Sequence, residues 1–269
     1  VLDIRGDYVY LFSEYTLFQE SPSEKFRIEK TNMTFIYAEE LKSRFNVYGH
    51  FYNLRLGKKV LNCRSTLDIV AAGSDDYETM LPDAVVVMMN PGSSRPINRN
   101  YVPKSYSADE MFMRQWKKES VPTRPDNAQY QIMRVMILRG WKYVKVLNLS
   151  DLRNGNSGKF GEDFANASLL DGTHPHCITH KKRRRELLDA LRTKLDGPII
   201  AAWGSIQVLR ESADAMLGCI PQIIGVRPDS TLPWFRYASP YMKRQKVEWV
   251  RNILTAIEGC EDRSRISKT

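Results

Sequence analysis

From residue 84 onward the chain alternates short apolar runs, polar turns and amphipathic stretches, a rhythm that predicts strand, turn and helix in repetition. The run AVVVMM at 84–89 is continuously apolar, as a strand buried on both faces of a parallel sheet must be. In DNAQYQIMRVMILRG at 126–140, Tyr130, Met133, Ile137 and Leu138 recur at helical spacing and Gly140 marks the stop. YVKVLNLS at 143–150 is the next predicted strand, and the Gly, Asn and Ser-rich RNGNSGKFGED after it reads as a mobile loop. A helix is predicted over 181–197, then a strand at PIIAAWG, a helix at SIQVLRESADAML, a strand at WFRYASP and a closing helix at KRQKVEWVRNILTAIEG.

The first 80 residues lack this rhythm. Aromatic-rich YVYLFSEYTLF and MTFIYAEELKSRF precede YNLRLGKKVLNCRSTLDIV, whose Leu-Gly-Lys-Lys reads as a hairpin turn. The expected class is α/β, in three α/β/α layers with a central, mostly parallel four-stranded sheet. The expected organisation is an N-terminal α+β extension over 1–80 packed on the core, an α/β domain over 81–260 and a flexible tail at 261–269.

In such sheets ligands bind beyond the carboxyl ends of the strands, where Asn90, Asn148, Gly204 and Ser239 all fall. Pro91 fixes the backbone leaving the first strand, Gly92 lets a ligand approach the main chain, and Ser93 or Ser94 offers a cap with free N–H groups. Asn148 carries donor and acceptor on one planar group, able to read a base edge or to tie down a neighbouring loop. Gly204 serves a tight turn before Ser205. Ser239 and Pro240 lead into Tyr241, Met242, Lys243 and Arg244, an aromatic and apolar wedge beside cations or a solvated helix start. Asp151 and Arg153 are spaced for a local ion pair.

Charge narrows the partner. Forty Lys and Arg against 31 Asp and Glu leave a net +9, which favours a polyanion such as nucleic acid. Cys63, Cys177, Cys219 and Cys260 are far apart, with no Cys-x-x-Cys pair, and read as reduced thiols of a cytoplasmic protein. His174, His176 and His180 in THPHCITH have a spacing a metal could use, but no carboxylate or Cys pair completes the set, so no metal is expected. The run KKRRR at 181–185 reads as an anion-facing patch or a solvated face. VLDIRGDYVYLFSEY has acids inside its apolar stretch, unlike a secretory signal, and no run of apolar residues could span a bilayer.

In order along the chain, VVVMMNPG, KVLNLSDLRN, IIAAWGSIQ and YASPYM resemble four motifs of the uracil-DNA glycosylase superfamily, in its Asn-Pro-Gly branch. The likeness covers roughly 84–257. RGWKYVKVLNLSDLRN with IIAAWG also resembles an uncharacterised bacterial family allied to that superfamily. The resemblance implies a monofunctional DNA glycosylase, without cofactor, monomeric, hydrolysing the N-glycosidic bond of a flipped-out uracil-like or bulky modified pyrimidine. Relatives in that neighbourhood attack hypermodified bases in phage DNA, which implies a defensive role.

By the same resemblance Asn90 and Tyr237 are the catalytic positions, and Pro91, Gly92, Ser93 and Asn148 bind the base. Gly204, Ser205, Ser239, Pro240, Tyr241, Met242, Lys243 and Arg244 hold the flanking DNA. Backbone N–H groups near Gly92 and Ser93 would stabilise charge on the departing base. The chain departs from the family in three places. Asn90 replaces an Asp and can orient a water without deprotonating it. Gly92 replaces a Tyr that excludes bulky pyrimidines. Tyr237 replaces the His that polarises the pyrimidine O2. Two other readings fit the same residues: a catalytically inactive nucleic-acid binder, and a nucleoside or nucleotide hydrolase.

Overall fold

The computed structural model describes residues 34–74, 76–113, 119–220, 222–228 and 233–266. The chain divides between Phe35 and Ile36, and every element below belongs to the unit Ile36–Thr269. The aromatic-rich YVYLFSEYTLF lies outside the described residues.

In chain order the strands are β1 (Phe45–Leu56), β2 (Lys59–Ala71), β3 (Ala84–Met88), β4 (Arg95–Pro96), β5 (Lys104–Ser107), β6 (Val121–Arg124), β7 (Tyr143–Asn148), β8 (Ile199–Ala202) and β9 (Ile224–Gly225). The helices are α1 (Ala38–Arg44), α2 (Ala108–Phe112), α3 (Asn127–Arg139), α4 (Ser157–Leu170), α5 (Arg184–Ala190), α6 (Arg210–Leu217) and α7 (Lys243–Ile266). One sheet runs β4-β6-β1-β2-β7-β3-β8-β9, with β5 also paired to β1.

This corrects the expected four-stranded, mostly parallel sheet. The strands β7, β3, β8 and β9 do run parallel to one another. Beyond β7, however, β2, β1, β6 and β4 continue the sheet by antiparallel pairing, and the long β1–β2 hairpin makes antiparallel ladders the larger share. The class remains α/β, with a nine-stranded mixed sheet. The hairpin, expected in a flank, stands in the middle of it. Its interior positions include His50, Arg64, Ser65, Thr66 and Asp68, so a buried strand pair did not present an apolar run. The Leu56↔Lys59 pairing puts the turn where Leu-Gly-Lys-Lys predicts it.

Other elements shift too. WFRYASP makes only an isolated bridge, Gly204↔Phe235, and is not a strand. The supposed mobile loop after Asn154 instead starts α4, because the Asn156 side chain accepts the N–H groups of Gly158 and Lys159. The helix expected over 181–197 is a 3-10 turn and the short α5, and Leu195, at φ 49°, breaks any continuation. α7 continues past Gly259 to Ile266.

Alternation within the strands sets what each face carries. Val85, Val87, Met89, Leu147 and Leu149 join Phe160 and Trp203 in one apolar cluster. Val86, Met88, Val146 and Asn148 therefore point to the opposite face. No helix among the described residues is long and apolar enough to cross a membrane.

Candidate active site

The loop leaving β3 is clamped from three sides. Asn90 is 2% exposed, and its Nδ2 donates to the carbonyls of Leu152 at 3.3 Å and Asn154 at 2.8 Å. Both N–H groups are thereby spent, leaving the carbonyl Oδ1 as the free acceptor of a side chain that lines a cavity. Gly92 sits at φ 65°, and a Cβ there would overlap Asp126 Oδ2. Two constraints, backbone and neighbour, thus demand glycine.

Asp126 is the second clamp. Its Oδ1 caps α3 by accepting from Ala128 and Gln129, while its Oδ2 accepts the Ser93 N–H at 3.2 Å. The Ser93 N–H, expected to face a ligand, is therefore already occupied. Ser94 is the third. Its Oγ is held by Arg64 Nη1 and donates to Pro91 O, and its carbonyl accepts from Arg153 Nη2 at 2.8 Å. Arg153 also lies over the Phe51 ring at 4.9 Å, so it forms no ion pair with Asp151, as its spacing had suggested.

At the end of β8, Trp203 is wholly buried, donates Nε1 to Pro233 O at 2.8 Å and meets the edge of Phe235 at 5.2 Å. Gly204, at φ 76°, donates its N–H to Phe235 O at 2.9 Å. That pairing holds the Tyr237–Ser239 stretch beside Gly204 and Ser205.

The outcome is a cavity of about 600 Å³ at the carboxyl ends of β3 and β8, where Asn90, Gly92, Ser93, Ser205, Tyr237 and Ser239 meet. Ligand sites commonly measure about 300–1,000 Å³. An adjoining cavity of about 380 Å³ shares Gly204, Ser205, Tyr237 and Ser239 and adds Pro240.

Other expected residues stand apart from this space. Pro91 is buried in the loop, behind the lining. Tyr241 and Met242 are exposed at 96% and 57%, on the surface beyond Pro240. Lys243 and Arg244 border a separate depression with Arg251, and Lys243 Nζ bonds Tyr37 Oη at 2.8 Å. Asn148 is wholly buried at the end of β7, opposite Met88, and does not line the cavity. Neither its Nδ2 nor its Oδ1 has a protein partner.

A second buried group of the same kind went unread in the sequence. Arg64 lies just past the end of the β2–β7 ladder, where its N–H bonds Asp151 O at 2.9 Å. It is wholly buried, with Nε and Nη2 unpartnered. Burial pulls its pKa down to about 10, opposed by the charge of Asp126, so the guanidinium stays protonated at neutral pH. Tyr237 feels the same two charges: burial and Asp126 raise its phenol well above the usual range and Arg64 lowers it. Nothing in NCRST marks Arg64 out. Asp126 did leave a signal, the Asp-x-x-Gln of a capping box, which the structure completes.

The remaining candidates turn out to be structural. Asp151 accepts from Tyr52 Oη at 2.7 Å and from Arg183 Nη1 at 2.8 Å, and Arg183 also grips Glu186. Arg183, from the basic run, is thus a buried ion-pair partner and no part of a solvated face. His176 is wholly buried against Ser150 Oγ at 3.1 Å, His174 stacks on Phe164 and His180 on Phe112. Among the described residues no group of His, Cys, Asp and Glu is arranged to hold a metal. No family model matches the chain, and neither a curated protein nor a solved structure matches it.

Proposed function

We propose that the 600 Å³ cavity hydrolyses the N-glycosidic bond of a uracil-like or bulky modified pyrimidine flipped out of DNA, leaving an abasic site. One observation carries the reading: three stretches far apart in sequence, at Asn90–Ser93, Gly204–Ser205 and Tyr237–Ser239, converge on one space at neighbouring strand ends. These are three of the four stretches that resemble the glycosylases. The protein would act as a monomer in the cytoplasm, where its four free cysteines stay reduced.

Flipping the nucleotide costs a few kcal/mol and is offset by contacts in the pocket. Asn90 Oδ1 accepts a hydrogen bond from a water and turns its lone pair toward C1′. Since an amide takes up no proton, cleavage of the C1′–N bond leads. The base departs with the bonding electron pair, water adds to C1′, and its surplus proton passes to solvent or to the base. The place a side chain at Gly92 would take is filled by Asp126, so room for a large 5-substituent is that of the cavity itself.

Charge on the leaving base needs a donor, and the Ser93 N–H is spent. Arg64, whose Nε and Nη2 lack protein partners, and Asn148, whose side-chain amide has none, are the groups assigned to the base edge. Ser205 and Ser239 would hold the flanking phosphates, with Tyr241 or Met242 as the wedge.

Asn90→Ala should lower release of base by about 100-fold or more, the usual cost of removing one preorganised hydrogen-bonding group, while leaving DNA affinity within twofold. The measurement is alkali-labile sites in genomic DNAs carrying different modified pyrimidines. Abasic sites formed at the unaltered rate by the variant would remove Asn90 from the reaction. The burial of Asn148 behind the cavity favours a second reading, a binder that has lost the chemistry. Such a protein would retain DNA and leave no abasic site in any of these substrates.

A further inference from the structure

β4 and β6 pair at Arg95↔Arg124, and the chain beside that pair carries Ser93 and Asp126 into the candidate active site. Arg95 and Arg124 themselves line a different cavity, of about 500 Å³. Lys42 and Arg99 complete its basic lining, and no acidic residue contributes to it. Arg95, Arg99 and Arg124 are exposed and enter no ion pair among the described residues. Arg124 lies within electrostatic reach of Lys42, and Arg95 of Arg153. Lys42 is paired with Glu39 at 3.0 Å, outside the lining, but the three arginines are not, and a polyanion would offset their mutual repulsion.

Apart from Asn46 and Thr123 the rest of the lining is apolar: Tyr48, half-buried and stacked on Tyr77 at 5.1 Å, with the buried Phe45 and Tyr130 and with Val47, Pro96, Ile97, Pro122 and Pro125. Cations around a partly exposed aromatic ring are what a single strand of nucleic acid meets in its binding grooves, phosphates on the rim and a base on the ring. A duplex hides its base faces and is too wide for a concavity of this volume.

We propose that this groove binds a single-stranded segment of DNA, with phosphates on Arg95, Arg99 and Arg124 and a base against Tyr48. That the segment is the continuation of the strand held at Asn90 rests on the proposed function; the groove's preference for single strands does not.

The test uses the full chain and a fluorescein-labelled ten-nucleotide thymidine oligomer, read by anisotropy at several salt concentrations. The variant Arg95→Ala/Arg99→Ala/Arg124→Ala should bind about tenfold or more weakly. Its log–log salt slope should be shallower by about 2, three lost phosphate contacts at roughly 0.7 each. Lys58→Ala/Lys59→Ala, which removes two exposed cations at the β1–β2 turn, should bind as the unaltered protein does. The proposal is overturned if the triple variant binds within twofold of the unaltered protein, if the turn variant loses as much, or if a blunt duplex loses affinity to the same degree as the single strand. An unaltered protein that binds the oligomer through these arginines yet releases no base leaves the groove standing and removes the glycosylase. Abasic sites formed by a protein whose oligomer binding ignores the arginines do the reverse.

Discussion

Asn148 stands at the end of YVKVLN, an amide closing an apolar strand, and there the sequence alone raised the right question. Arg64 raised none, because one arginine in NCRST looks like any surface cation; only the pairing of β2 with β7 makes it interior. Both side chains hold buried polar atoms without protein partners. Such atoms cost free energy in the folded state, and a buried charge costs more than a dipole. If these groups exist for a ligand, removing them should stabilise the protein and cripple it together. Arg64→Met should raise the unfolding free energy by about 1–3 kcal/mol, and Asn148→Leu by about 1–2 kcal/mol, while base release falls in both. Chemical denaturation together with the abasic-site assay reads the two effects. Losses of stability in both variants would mean that these side chains serve the fold.

Among the elements, β3 and β8 were evident from unbroken apolar runs, β7 from an apolar run broken only by Lys145, and α3 from helical spacing that stops at Gly140. The sheet's other half was not. β2 buries Arg64, Ser65, Thr66 and Asp68, and β4, β5 and β6 have only two to four residues each, too few to show a period. The Asn-Pro-Gly loop was recognisable as a motif, but its partner Asp126 lies more than thirty residues on, and only folding brings the two together. That carboxylate joins an element to the site, and the two roles separate by substitution. Asp126→Ala loses both the cap and the Ser93 grip and should destabilise by about 1–2 kcal/mol. Asn is as good a cap as Asp, but its one carbonyl oxygen cannot serve both the cap and the Ser93 N–H. Asp126→Asn should therefore keep the cap, lose the Ser93 grip and destabilise by about 0.5–1 kcal/mol, less than Asp126→Ala. Thermal unfolding of the pair distinguishes them. Equal losses would show that the grip on Ser93, and not the cap, is what Asp126 contributes.

Across the whole molecule, the carboxyl end of the sheet is layered with buried polar groups: Arg64 and Asn148 behind the cavity, and the network of Tyr52, Asp151, Arg183 and Glu186. His176 lies in the same layer and ties global stability to pH. Burial, then the charges of His174 and Arg183, lower its pKa to about 3, against the ordinary 6.5, with Asp171 opposing. The unfolded chain thus binds a proton that the folded one refuses between those values, so stability is full above pH 6.5 and declines as pH falls toward 3. The slope approaches 1.4 kcal/mol per pH unit, or about 2 kcal/mol lost by pH 5. Asp151 acts in the opposite sense, because burial raises its carboxyl despite Arg183, and protonating it on acidification relieves the native state. The His176 contribution is therefore read as a difference. His176→Asn keeps a hydrogen-bonding group near Ser150 but does not titrate, and its unfolding free energy should fall more slowly than that of the unaltered protein from pH 6.5 to 5. The buried ring it loses lowers stability at every pH and leaves the slope untouched. Parallel curves for the two proteins over that window would show that His176 takes up its proton without unfolding, and that the layer admits charge.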